Sequence, residues 1–209
     1  MVAVDSNIIQ FRNLLALKIL SSAPNKVVIK SLEVDQKQVT SDDLSVIGDM
    51  LIAVDLVLDY SVDAVRINGS ETNIRRAMRM LLQDFQASNS SEVSQLVNEY
   101  PDLTKANQEM LLRLATQIKN ELPELTNYSV SYLLTELYIL LRRYSLGAPA
   151  THQLGQIFTS EQLALIQSSE KLFVLSQSLI KKISEVIGAP LSEIEIYYLT
   201  LKIWLGVQD

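Results

Sequence analysis

Cysteine is absent and histidine occurs once, at His152, in a chain of 209 residues. No disulfide, thiolate metal site or cysteine nucleophile can form, and one imidazole cannot supply a histidine metal cluster or a triad with spare parts. The six glycines are scattered, and none forms a loop that could cradle a phosphate. With no nucleophile and base set either, the chain is expected to have no catalytic residue, no metal and no cofactor. No uncharged apolar run approaches the roughly 18 residues of a membrane span, and no basic, apolar, small-residue leader pattern opens the sequence. The expectation is a cytoplasmic protein without a membrane partner. A net charge of −6 argues against a surface that grips nucleic acid all over, while leaving room for a local basic patch.

What is present is apolar and helical in its spacing. Apolar residues make up 48% of the chain, enough to bury a sizeable core in one or two domains. The most informative stretch is 187–205. Gly188 and Pro190 close the preceding segment, Ser192 is placed as an N-cap with Glu195 able to complete a capping box, and Leu191 and Ile196 suit a hydrophobic staple. Beyond it, Ile194, Tyr197, Tyr198, Leu201 and Leu205 form one stripe, and Ile196, Leu199 and Ile203 fill the rest of the circumference. A helix buried on most sides is expected, with one charge, Lys202, inside it.

Earlier in the chain, 8–20 has a wide apolar face at helical spacing, stopped near Pro24. The segment 26–32 reads as short and amphipathic, and 40–43 supplies N-caps for a third helix to about Leu56. Three short helices in this order suggest a helix-turn-helix. Residues 56–60 and 64–67 read as brief strands around a turn at 61–63, ended by Asn68-Gly69, where a wing would sit.

The junction Gly69-Ser70-Glu71-Thr72-Asn73-Ile74-Arg75 runs from this small hairpin into a long helix. It resembles the segment joining the winged helix to the regulatory domains in sugar-operon activators of the mannitol-regulator and Mga-like kind. Read without that resemblance, Ser70 is simply an N-cap with Asn73 at N3. Polar, small residues at 86–92 and a break at 100–102 make 71–104 a helical linker, dividing a domain at 1–70 from one at 105–209. The second domain is expected to hold five helices: 107–122, 130–146, 160–168, 171–187 and the helix from 192.

That helix order resembles the PTS regulation domain of sugar-operon transcriptional regulators and antiterminators. Leu133, Leu137, Leu141 and Arg143 fit the family's second helix; Pro190, Leu191, Glu193, Glu195, Ile196, Tyr198, Leu199 and Leu201 fit its last. The resemblance implies a mainly α chain: a winged-helix-like domain with a small β wing, a helical linker and a five-helix bundle. It implies a regulator that dimerises and meets a phosphotransferase-system protein or another regulator. Family members are phosphorylated on histidines, but Glu136 and Lys202 stand at the two histidine positions, so this chain is expected to lack that modification. Glu136, Lys202 and Arg143 are the candidate regulatory residues.

Elementary electrostatics singles out the same pair. Glu136 is the only acid between Tyr128 and Glu161, Lys202 is isolated among apolar neighbours, and burying either alone costs several kcal/mol. Either the two approach each other, or both reach water, the lysine by its long stem. His152, in a loop and at neither family position, reads as a surface histidine. For nucleic acid the candidates are Lys26, Lys30, Lys37 and Arg66, with ordinary solvated faces as the plainer account of them. From Gln38 to Val65 there is no Lys or Arg, but there are six aspartates, 42, 43, 49, 55, 59 and 63. Such a stretch repels phosphate, so DNA binding stays open, and an alternative is a degenerate paralogue that works purely as a protein-interaction module.

Overall fold

The structure is a computed structural model that describes residues 6–32, 37–86, 93–146 and 157–208. It is mainly helical with one small three-stranded antiparallel sheet. The described residues fall into two compact units, divided between Phe85 and Gln86, with Leu146 also counted in the first. None of their helices is long and apolar enough to cross a membrane.

The first unit opens with α1 (Ser6–Ser22), whose wide apolar face buries Phe11, Leu15, Ala16, Ile19 and Leu20. Segment 26–32 is not the helix expected from its amphipathic pattern. Val27–Val28 is a two-residue strand, β1, followed by a single 3-10 turn at Ile29–Ser31. Two adjacent β-branched valines can pair with a strand, and Val27 does so opposite Val65. The expected trio of helices is therefore a helix, a strand with one helical turn, and a helix.

That next helix, α2 (Ser41–Ile52), starts at a complete capping box: Thr40 accepts from the Asp43 backbone N–H, and Asp43 accepts from the Thr40 backbone. It stops short of the expected Leu56. Asp55 adopts a left-handed φ of 55°, Leu56 N–H donates to Leu51 O at 3.1 Å, and Asp55 N–H donates to Ile52 O at 3.1 Å. These two bonds form a Schellman closure, with an aspartate in place of the usual glycine.

The hairpin is β2 (Val57–Tyr60) and β3 (Ala64–Asn68), and sheet order β1-β3-β2 puts β3 at the centre. Val65 and Ile67 point into the core, while Asp59 and Arg66 pair across the other face at 3.3 Å. Gly69 follows, where an added Cβ would lie 2.3 Å from Leu56 Cδ2. Ser70 Oγ then accepts from Asn73 N–H at 3.1 Å and caps α3 (Glu71–Gln86). Glu71 and Arg75 form an ion pair one turn apart at 2.8 Å, and Ile74, Met78 and Leu82 are buried. Each distinctive residue of the 69–75 junction thus has a local structural task.

The residues expected as a linker, 71–104, are divided between the units: α3 belongs to the first, and α4 (Val93–Glu99) to the second. There α4 packs on α5 (Lys105–Glu121) and α6 (Asn127–Ser145), burying Leu96, Val97 and Tyr100. The remaining helices are α7 (Ser160–Ser168), α8 (Glu170–Ile187) and α9 (Glu193–Gln208). The five helices expected from 105 onward are all present, with α4 in addition. Gly188 ends α8 at a φ of 74°, again a left-handed closure. On α9 the fully buried apolar positions are Leu199 and Ile203; the expected stripe is half-buried at Ile194, Tyr197, Tyr198 and Leu201, and Leu205 is exposed. The helix is packed by α8, α6 and α7, so no single stripe owns the core.

Asp43 generates a prediction. Burial pushes its carboxyl up, but hydrogen bonds from Thr40 and from Arg12, at 2.9 Å, outweigh that and hold it below the ordinary carboxylate range. Its stabilising effect is therefore complete above the unfolded value of about 3.9 and is lost as pH falls through the lower folded value. Asp43→Asn is expected to cost about 1–2 kcal/mol at pH 7. In thermal unfolding followed by circular dichroism, the gap between variant and wild type should begin to narrow only as pH falls below the unfolded value of about 3.9.

Candidate functional site

Helix α6 is buried almost all round, which makes every polar group on it a matter of compensation. On one flank, the chain between α4 and α5 is fastened to it. Tyr100 stacks on Tyr138 with ring centroids 4.4 Å apart and donates or accepts at Thr135 Oγ1 over 2.9 Å. Tyr138 OH donates to Pro101 O at 3.0 Å, and Arg142 pairs with Asp102 at 3.2 Å. Burial raises the Tyr138 phenol well above its ordinary value.

On the flank facing α9 lies a polar seam. Tyr132 and Glu136 are one turn apart on α6, as are Tyr198 and Lys202 on α9. Lys202 Nζ is 3.8 Å from Glu136 Oε1 and donates to Tyr132 OH at 2.8 Å. The same ammonium sits 5.2 Å from the Tyr198 ring centroid, inside the range of cation–π attraction. Tyr198 OH donates to Glu136 Oε2 at 3.5 Å. The glutamate side chain is 3% exposed and the lysine 18%. Of the two arrangements open from the sequence, approach to each other is the one adopted.

Further along the seam, Ser192 N–H donates to Tyr144 OH at 3.4 Å, and Tyr144 OH donates to Glu195 Oε1 at 3.0 Å. The expected capping box of Ser192 and Glu195 is thus bridged by a phenol from α6, while Ser192 Oγ accepts from Ile194 N–H at 3.4 Å. Arg143, two turns beyond Glu136, is completely buried. The site consists of charges and phenols held in permanent pairs, an arrangement that fixes two helices to each other. Among the described residues, no group of three or more His, Cys, Asp or Glu is placed to hold a metal ion.

The residue pattern singles out the two charges but not Tyr132 or Tyr144, and Tyr198 enters it only as a packing position and a match to the resemblance. The one-turn spacing of Tyr132 to Glu136 and of Tyr198 to Lys202 was the available signal. His152 lies outside the described residues.

The candidate nucleic-acid residues are only partly assembled. Lys26 and Arg66 line one concavity of about 210 Å³ with Asp59 and Tyr60. Arg66 is neutralised there by Asp59, which also accepts from Asn68. Lys30 is exposed on the 3-10 turn, and Lys37 lies 5.6 Å from the Phe11 ring centroid. On α2, Asp42 and Asp49 are exposed.

The chain matches no protein-family model and no curated protein sequence.

The seam generates a double-mutant cycle. Trp204 on α9 is the only tryptophan, and its fluorescence reports unfolding of the second unit in urea. Lys202→Met strands a buried carboxylate and should destabilise by about 3 kcal/mol. Glu136→Gln on the same background should recover part of that loss, giving a coupling of about 1 kcal/mol or more. Additive effects would mean that the two charges are independent.

Proposed function

We propose that this protein is a cytoplasmic transcriptional-regulator-like protein that acts through dimerisation and partner binding, built from a winged-helix-like unit and a unit similar to a PTS regulation domain without phosphorylatable histidines. The observation that carries the reading is the 3.8 Å approach of Lys202 to Glu136. The two residues that stand at the resemblance's histidine positions meet across one helix pair, so they behave as a matched site and not as two unrelated losses. A phosphoryl group would add negative charge at such a cleft and bias its packing. Here a carboxylate supplies a fixed negative charge and a lysine answers it, so the packing of α6 on α9 is constitutive.

A second reading is favoured by one observation. The exposed face of α2, the helix that would enter a DNA groove, presents Asp42 and Asp49 and no cation. This supports a module that binds a full-length regulator or a phosphotransferase component and leaves DNA alone.

Incubation with phosphoenolpyruvate, the general phosphotransferase enzyme and its phosphocarrier should leave the protein unlabelled; acid-labile phosphate on His152 would contradict the reading. In a band-shift series at physiological salt, duplex DNA should bind only in the non-specific range, with Kd of about 10⁻⁶ M or weaker. Sub-micromolar binding to one sequence would reject the second reading in favour of the first.

A further inference from the structure

Two helices of the first unit carry exposed stripes of the same spacing and opposite charge. On α2 the stripe is Asp42, Val46, Asp49, Met50 and Ala53, all exposed, on the side away from the buried Leu44, Ile47 and Leu51. On α3 the stripe is Thr72, Arg76, Met80 and Gln83, all exposed, with Arg79 half-buried beside them. Val46, Met50 and Met80 are 44%, 37% and 49% exposed. Asp42, Asp49 and Arg76 make no ion pair among the described residues. An apolar strip flanked by uncompensated charge has the composition of a contact surface, since flexible methionines adapt to a partner and rim charges set its orientation.

We propose that a second copy of this chain covers this strip, the α3 stripe of one copy lying along the α2 stripe of the other. Val46 and Met50 then pack against Met80, and Arg76 reaches Asp42 and Asp49. The chain itself carries the complementary face, which argues for a second copy over an unrelated basic protein. DNA is disfavoured by the aspartates. When each copy gives α2 to its partner's α3, the contact is made twice and closes with two-fold symmetry. One helix-on-helix contact alone falls below the roughly 1,000 Å² of a stable interface, so the association needs both contacts and is concentration-dependent. The proposal deepens the dimerisation in the reading above and rests on it for its role. Association that ignores the substitutions below would reject this interface alone, whereas a monomer throughout would also remove the dimerisation it rests on; neither outcome alters the labelling or band-shift results.

Sedimentation velocity of the full chain over a micromolar to near-millimolar series is the test, with circular dichroism confirming that each variant is folded. Asp49→Arg alone and Arg76→Glu alone should each weaken association roughly tenfold, and Met50→Glu should abolish it. The Asp49→Arg, Arg76→Glu double variant should recover most of the wild-type affinity, because the pair is restored with its signs exchanged. Raising salt should weaken the wild-type association. A monomer throughout the series, association indifferent to these substitutions, or a double variant no better than the singles would overturn the proposal. So would a monomer whose α2 variants instead lose binding to a synthetic basic amphipathic peptide, which would give the face to another protein.

Discussion

Charge compensation between α6 and α9 is the constraint on which the second unit depends. A helix with Val130, Leu133, Leu134, Leu137, Ile139, Leu140 and Leu141 all buried has little wet surface on which to leave a polar group unpaired. Most of its polar groups are therefore matched one by one: Thr135 with Tyr100, Tyr138 with the Pro101 carbonyl, Arg142 with Asp102, Tyr144 with Glu195, and Glu136 with Lys202 and Tyr198; Arg142 Nε is an exception, buried with no hydrogen-bond partner among the described residues. These partners come from two directions, the α4–α5 connection and α9. Specific pairing of this kind fixes the register of the three segments, which apolar packing alone leaves free to slide.

The role of Lys202 shows why a buried ion pair can be retained without being a large source of stability. Its ammonium has a carboxylate, a phenol oxygen and the Tyr198 ring within reach, so its loss of water is offset by several weak attractions instead of one strong one. A hydrophobic residue could pack in the same place. It could not tell Glu136 from any neighbouring leucine.

Much of the helix content was legible because apolar periodicity and capping chemistry agree along most of the chain. Thr40, Ser70 and Ser192 each stand at a real helix start, and the cost of burying Glu136 or Lys202 alone made their mutual approach one of two arrangements open to them. Where reading failed, a distant partner overrode a local rule. Tyr144 enters the box between Ser192 and Glu195 from another helix, a contact that no spacing rule within α9 encodes. Val27 and Val28 become a strand only because β3 is there to pair with them. Asp55 ends α2 in a conformation for which glycine is the usual signal, so the helix was expected to continue. The linker assignment missed that Ile74, Met78, Leu96 and Val97 carry enough apolar surface to join the cores on either side.

The fastening of Tyr100, Pro101 and Asp102 to α6 also has a mechanical meaning. Tension on the chain entering the second unit passes through α4 and then meets a stacked ring pair, a buried hydrogen bond and an ion pair, all on one helix. Those contacts act alongside the packing of α4 on α5 and α6. Residues 100–102 are thereby anchored to α6 by contacts separate from those that join α6 to α9, so strain arriving along the chain meets a fastening that shares no side chain with the paired charges.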